Sequence, residues 1–233
     1  TKSDVTRAIT NSLTYAGVAV VIIVLTGTSA AYVVARRRIP GKDLLDTLAT
    51  IPIAIPGIIV AVGYIVFFTL LAKTLYGTPL ESLGYMFDPF VNPGLLLMFS
   101  YSVRRLPFTA RAVFAGLQQT HVSLEEAAEN LGASRAKTFF TIVMPLIAAN
   151  IISGAILSFV YSMSEVSTSV ILGSRNPSQG PITFLMSQVI YASAAVGTVS
   201  IAAALGVLLM SLQIIAISVS NYILKQRVAF LGV

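Results

Sequence analysis

The chain has 233 residues, of which 56% are hydrophobic and only 10% charged, and its mean hydropathy is +0.86. A soluble domain carries about 45–50% apolar and about 25% charged residues, so this balance excludes an ordinary soluble protein and describes an integral membrane protein. The formal net charge of +6 arises beside apolar runs, where it orients a chain in the bilayer rather than pointing to nucleic acid. The absence of Cys removes disulfides and thiolate metal sites, and the one His, His121, cannot build a zinc site by itself.

In chain order, residues 15–35 carry no charge and are followed at once by Arg36, Arg37, Arg38 and Lys42, which reads as a first span over 9–35 with a basic stop. The three arginines are taken as orientation determinants, with lipid-headgroup contact as a secondary role. A second span over 47–72 is interrupted by Pro52, Pro56, Gly57 and Gly63, breaks that a membrane bundle tolerates and that fit a pathway-lining or gating helix. Residues 73–93, rich in Gly, Pro and polar side chains, read as an external loop. The third span, 94–116, carries Arg104, Arg105 and Arg111 and continues as a helix leaving the membrane. The fourth, 147–172, is uncharged except for Glu165.

Residues 176–224 carry no charge at all, far more than the roughly 20 residues that one crossing needs. Placing one crossing at 196–224 puts Lys225 and Arg227 on the same side as Arg36 to Arg38, as the positive-inside rule prefers, and leaves Gly180-Pro181 to open a short external helix through Tyr191. Four of the 15 Lys and Arg, namely Lys2, Arg7, Lys73 and Arg175, then lie outside, leaving eleven at or near the cytoplasmic side. The expectation is five helical spans in one transmembrane domain over 1–233. Thr1 is not an initiator Met, which leaves room for a further N-terminal span or a fused second half.

The loop over 117–146 carries the strongest local pattern. Ser123 with Glu126 three residues on forms a capping-box signature, and Gly132 supplies a left-handed stop, giving a helix of about two turns. Leu124, Ala127, Ala128 and Leu131 share one face, and Glu125, Glu126 and Glu129 form an acidic rim. A second helix starts at Ser134, with Ala136, Phe139, Phe140 and Val143 on its apolar side, until Pro145 disfavours continuation. The plain alternative is an ordinary interfacial helix pair.

Glu126-Ala127-Ala128, three residues, Gly132, nine residues, then Ile142, Val143, Met144 and Pro145 resembles the EAA loop of the permease subunits of ATP-binding-cassette importers, with Met144 in place of the usual Leu. Met fills that volume with another unbranched apolar chain. The resemblance implies the five-helix core of a type I importer permease in the inner membrane, with the coupling helix between spans 3 and 4. It implies that Glu125, Glu126, Ala127, Ala128, Glu129, Gly132 and Pro145 serve a cytoplasmic coupling surface for a separate ATPase, which binds ATP and Mg. It further implies two ATPase subunits, a second permease forming a homodimer or heterodimer, and an extracytoplasmic binding protein. Residues 51–58 and 164–172 look most like the branch that imports ferric iron, phosphonate, thiamine or polyamine.

Glu165 is the one acid placed inside a span, where an ionised carboxylate costs at least a few kcal/mol and needs a partner. Arg104 or Arg105 is the expected partner, with a substrate or gating role as the alternative; Pro52, Pro56 and Gly57 join these as candidate pathway residues. No Gly-rich phosphate loop and no His-and-acid pair occurs, so the chain is expected not to be an enzyme and to bind no cofactor or metal. A secondary transporter or channel using Glu165 as an ion site is the competing class, and it leaves the coupling pattern without a role.

Overall fold

A computed structural model describes residues 2–192 and 196–230. The described residues form helices and turns without a strand: α1 (Lys2–Arg36), α2 (Lys42–Thr50), α3 (Gly57–Leu75), α4 (Glu81–Phe87), α5 (Pro93–Gln119), α6 (Ser123–Asn130), α7 (Arg135–Thr138), α8 (Met144–Leu146), α9 (Ala148–Met163), α10 (Ser167–Gly173), α11 (Ile182–Ala192) and α12 (Val196–Phe230). Among them Ser3–Arg36, Gly57–Leu75 and Val199–Val219 are each long and apolar enough to cross a membrane. A fourth crossing is available if Arg135–Leu146 and Ala148–Met163, bent by 70° at Ile147, act as one span.

Several local features follow directly from residue chemistry. α2 ends where Ile51–Ile53 tightens into a 3-10 turn around the buried Pro52, and Pro56, with extended backbone at ψ 134°, stands immediately before the first residue of α3, Gly57. Proline lacks the N–H that a continuous helix needs, so the expected break in the second apolar segment falls here. α5 runs through Pro107 without interruption over 27 residues, past Arg104, Arg105 and Arg111. Two expectations need correction. The segment 73–93 is more than a loop, because α3 reaches Leu75 and α4 forms from Glu81 to Phe87; Phe68 stacks on Phe87 at 5.7 Å between ring centroids. The run 147–172 is not one helix, because α9 stops at Met163 and α10 begins at Ser167.

The chain packs as two compact units. One comprises Thr1–Ala19, Ala54–Val103 and Phe159–Ala216; the other comprises Val20–Ile53, Arg104–Ser158 and Ile217–Val233. In the first, Ile182, Leu205 and Leu209 form a buried cluster against Val5, Ile9, Leu185 and Met186. The start of α11 is anchored there by the Ile182 N–H donating to the Ser12 hydroxyl at 2.8 Å.

In the second unit the core is Ala31, Val113, Leu117, Val143 and Ile147, with Tyr32 and Phe139 packed edge to face at 4.8 Å. α5 and α9 approach closely because Gly154 faces the Thr109 backbone, where an added Cβ would lie 2.7 Å from the Thr109 Cα. The Thr109 and Ser158 hydroxyls hydrogen-bond at 3.0 Å across the same contact. Small residues with a bridging hydroxyl pair are the usual means of close helix packing in an apolar solvent.

Candidate functional site

The segment from His121 to Leu146 is built by backbone chemistry at its turns. Gly132 has φ +88°, its N–H donates to the Glu129 carbonyl at 2.9 Å, and the Ala133 N–H donates to the Ala128 carbonyl at 3.0 Å. These two bonds are the Schellman closure of α6, and the positive φ explains glycine at this position. The next helix opens at Ser134, whose hydroxyl accepts the Lys137 N–H at 3.4 Å. α7 passes into a π-helical stretch, Phe139–Val143, then α8 with Pro145, and the chain bends at Ile147. Pro145 withholds an N–H within this irregular stretch, where π geometry and a sharp bend are expected to coincide.

The expected capping box does not form. The Leu124 N–H donates to His121 O, and both the Glu125 and Glu126 N–H groups donate to Val122 O, so the helical turn begins one residue early. Ser123 is therefore the first helical residue, with Val122 at the N-cap and no side-chain cap.

The apolar face also divides. Ala128 is buried, while Leu124, Ala127 and Leu131 are open, Leu131 to 90% of its surface. Glu126 and Glu129 are exposed, and Glu129 lies 3.7 Å from Arg135 in an exposed pair. Glu125 departs from its expected place on the rim. It is 7% exposed, its Oε1 is 2.6 Å from Arg36 Nε, and its Oε2 accepts the Tyr32 hydroxyl at 3.0 Å. A carboxylate one turn of helix from the buried Ala128 turns inward because a cation and a phenol await it.

Arg36, which the sequence assigned to orientation, and Tyr32 thus join the candidate site. The available signal was their spacing of four residues at the end of α1, which presents both on one face.

Glu165 occupies the break between α9 and α10 in the other unit and is 4% exposed. Its Oε1 accepts the Thr168 N–H at 3.3 Å, and its backbone carbonyl accepts the hydroxyls of Thr183, at 2.8 Å, and of Ser169. Ser169 also hydrogen-bonds the buried Tyr101 hydroxyl at 2.6 Å. The break therefore joins α10, α11 and the first part of α5 through hydroxyl and carboxyl groups. Beside it lies an open cleft of about 290 Å³, lined by Ser164, Val166, Thr183, Met186 and Tyr191 among others. Arg104 and Arg105 are half-buried on α5, at the start of the second unit.

Helices long and apolar enough to cross a membrane, with a Gly-closed, exposed helix between α5 and α9, describe an α-helical membrane protein. The chain belongs to the family described as binding-protein-dependent transport system inner membrane component, which matches residues 8–230. It is 35% identical over 162 residues to the ferric transport system permease protein FbpB of Actinobacillus pleuropneumoniae, covering 70% of this chain and 21% of that one. It is 31% identical over 173 residues to the molybdenum transport system permease protein ModB of Escherichia coli K12, covering 74% of each. The chain thus spans about a fifth of the length of FbpB.

Among solved structures it superposes with TM-score 0.77, at 17% identity, on a chain of a bacterial ABC transporter involved in the import of the acidic polysaccharide alginate, covering 95% of this chain and 79% of that one. It also superposes with TM-score 0.69, at 18% identity, on a chain of the MetNI methionine ABC transporter in an inward-facing conformation, covering 96% and 95%. The all-α fold is that of type I ABC-importer permeases.

Proposed function

We propose that this chain is one permease of an ATP-driven importer, lining the translocation pathway and coupling it to a separate ATPase subunit through residues 117–146. The observation that carries this reading is the open face of α6. Leu124, Ala127 and Leu131 stand exposed beside Glu126 and Glu129 on a helix whose far end is fixed by Gly132, in a chain of this family. A rigid helix with small and apolar residues outward and carboxylates at its margin fits a cleft with an apolar floor and basic edges.

ATP and Mg belong to that partner, and closure of two ATPase subunits would draw two coupling helices together and move the transmembrane helices by rigid-body displacement. A second permease completes the pathway, an extracytoplasmic binding protein delivers the cargo, and the coupling loop and C-terminus face the cytoplasm. Ferric iron, the cargo in the name of FbpB, and molybdenum, the cargo in that of ModB, are two of the candidates that the relatives supply, beside the sulfate in the name of CysT.

Gly132→Val tests the reading. Val resists φ +88°, so the Schellman closure opens and the helix loses its seat. Transport in proteoliposomes holding the full assembly, measured with ferric iron and with molybdate, falls at least about tenfold, the effect of roughly 1.4 kcal/mol, while the extracted permease stays monodisperse. Undiminished transport by this variant would remove the coupling assignment.

A further inference from the structure

Three elements of the second unit converge on one side chain. Arg36, the last residue of α1, places Nε 2.6 Å from Glu125 Oε1 in the coupling helix α6. The same guanidinium donates through Nη2 to the carbonyls of Leu117, at 2.8 Å, and of Thr120, at 2.7 Å, at the end of α5. Tyr32, one turn earlier on α1, holds the other oxygen of Glu125. The Arg36 and Glu125 side chains are 8% and 10% exposed, so solvent screens this cluster little.

A planar fork can face a carboxylate with Nε and two carbonyls with Nη2 at once, whereas an ammonium is a point charge without fixed directions. The carbonyls at the end of α5 also carry the negative end of that helix's dipole, which favours a cation beside them.

We propose that Arg36 is a positioning residue that makes α1, α5 and the coupling helix move as one body. This rests on the coupling role assigned to α6 above. The chain already joins α5 to α6 through Thr120, His121 and Val122, whereas α1 reaches α6 across space, where Arg36 and Tyr32 hold Glu125. α1 and α5 also share the core of Ala31, Val113 and Leu117, so what the fork adds is a direct tie from α1 to α6; without it, displacement of α6 reaches α1 only indirectly, through apolar packing that can slide.

The native chain has no Cys, so two spin labels can be placed without background, at Ala136→Cys on α7 and Leu25→Cys on α1, both exposed and in the same unit. Their distance is measured in the permease assembled with its ATPase in nanodiscs, without nucleotide and with ATP and Mg under non-hydrolysing conditions. With native Arg36, one narrow distance persists in both states. In Arg36→Lys, which keeps the charge and loses the fork, the distribution is native without nucleotide and gains a second peak with ATP, displaced by roughly 2 Å or more, the scale of helix shifts at interfaces.

A single narrow distance in Arg36→Lys with ATP overturns the proposal. So does a distribution equally broadened without nucleotide, which would mean that Arg36 only stabilises the fold. If Arg36→Lys does not assemble, Glu125→Gln, which leaves the bonds of Arg36 to Leu117 and Thr120 intact, is read by the same criteria. Failure of the native permease to retain the ATPase contradicts the coupling reading instead, and that outcome is seen before any variant is made.

Discussion

Two buried carboxylates, Glu125 and Glu165, show how differently one chain can satisfy an acid away from water. Glu125, in the second unit, meets a guanidinium and a phenol from a helix 89 positions away in sequence, so its charge ties two elements together. Glu165, in the first unit, directs Oε1 at the N–H of Thr168 in the turn that follows it, and its backbone carbonyl collects two hydroxyls. The first arrangement is a strut between elements that are otherwise linked at a distance. The second orders a local helix break, and the helix after it, through the Thr168 N–H and the hydroxyls of Ser169 and Thr183. The first ties elements that are distant in sequence, and the second orders backbone close to the acid itself.

The contrast is broken first at Glu125, where the largest effect is expected. Glu125→Ala leaves a buried Arg36 facing a cavity, and removing one partner of a buried pair destabilises by about 3–5 kcal/mol. The unfolding midpoint in detergent should fall clearly, and the α6 amides should lose protection from hydrogen exchange before those of α5. A midpoint within error of wild type would mean that the pair contributes nothing and that Glu125 is a surface residue after all.

A smaller effect is expected at the other acid. Glu165→Gln keeps an oxygen for the Thr168 N–H, so what changes is the charge. If the Arg104 or Arg105 guanidinium balances that charge, stability falls by about 1.5–3 kcal/mol, the worth of a charge-assisted hydrogen bond, and a charge-neutral double change with the correct Arg recovers part of it in a double-mutant cycle. If Glu165 contacts a cationic cargo instead, stability is retained, transport drops and no Arg substitution restores it. Wild-type stability together with wild-type transport would show that the acid does neither.

Much of this was legible in the residues, for reasons that are local. Gly132 announced its positive φ, Ser134 its cap, and Pro52 and Pro56 the interruption before α3, because each is a property of one residue and its neighbours. Helix α11, opening after Gly180-Pro181, was legible in the same way.

What escaped the sequence is tertiary. The break at Ser164 to Val166 contains neither Gly nor Pro, and the bonds that accompany it come partly from Thr183, eighteen residues on, so nothing in the run itself marks it. Helix α4 was masked by the turn-forming residues around it. The inward turn of Glu125 depends on Arg36 and Tyr32, and charge alone, without that partner, argued for the surface. Likewise the N-cap moved to Val122 because backbone bonds from His121 and Val122 started the turn before Ser123 could cap it.

Docking of α6 into an ATPase is tested most directly at Leu131, the exposed apolar residue at its C-cap. The permease and its proposed partner ATPase are co-expressed, extracted and co-purified through a tag on the permease, as wild type and as Leu131→Asp. Leu131 touches little of its own chain, so the substitution leaves the permease monodisperse and its melting unchanged. The account predicts that the ATPase recovered per permease falls at least about tenfold, as burial of a carboxylate against an apolar floor requires. Undiminished recovery of the ATPase with Leu131→Asp would contradict it.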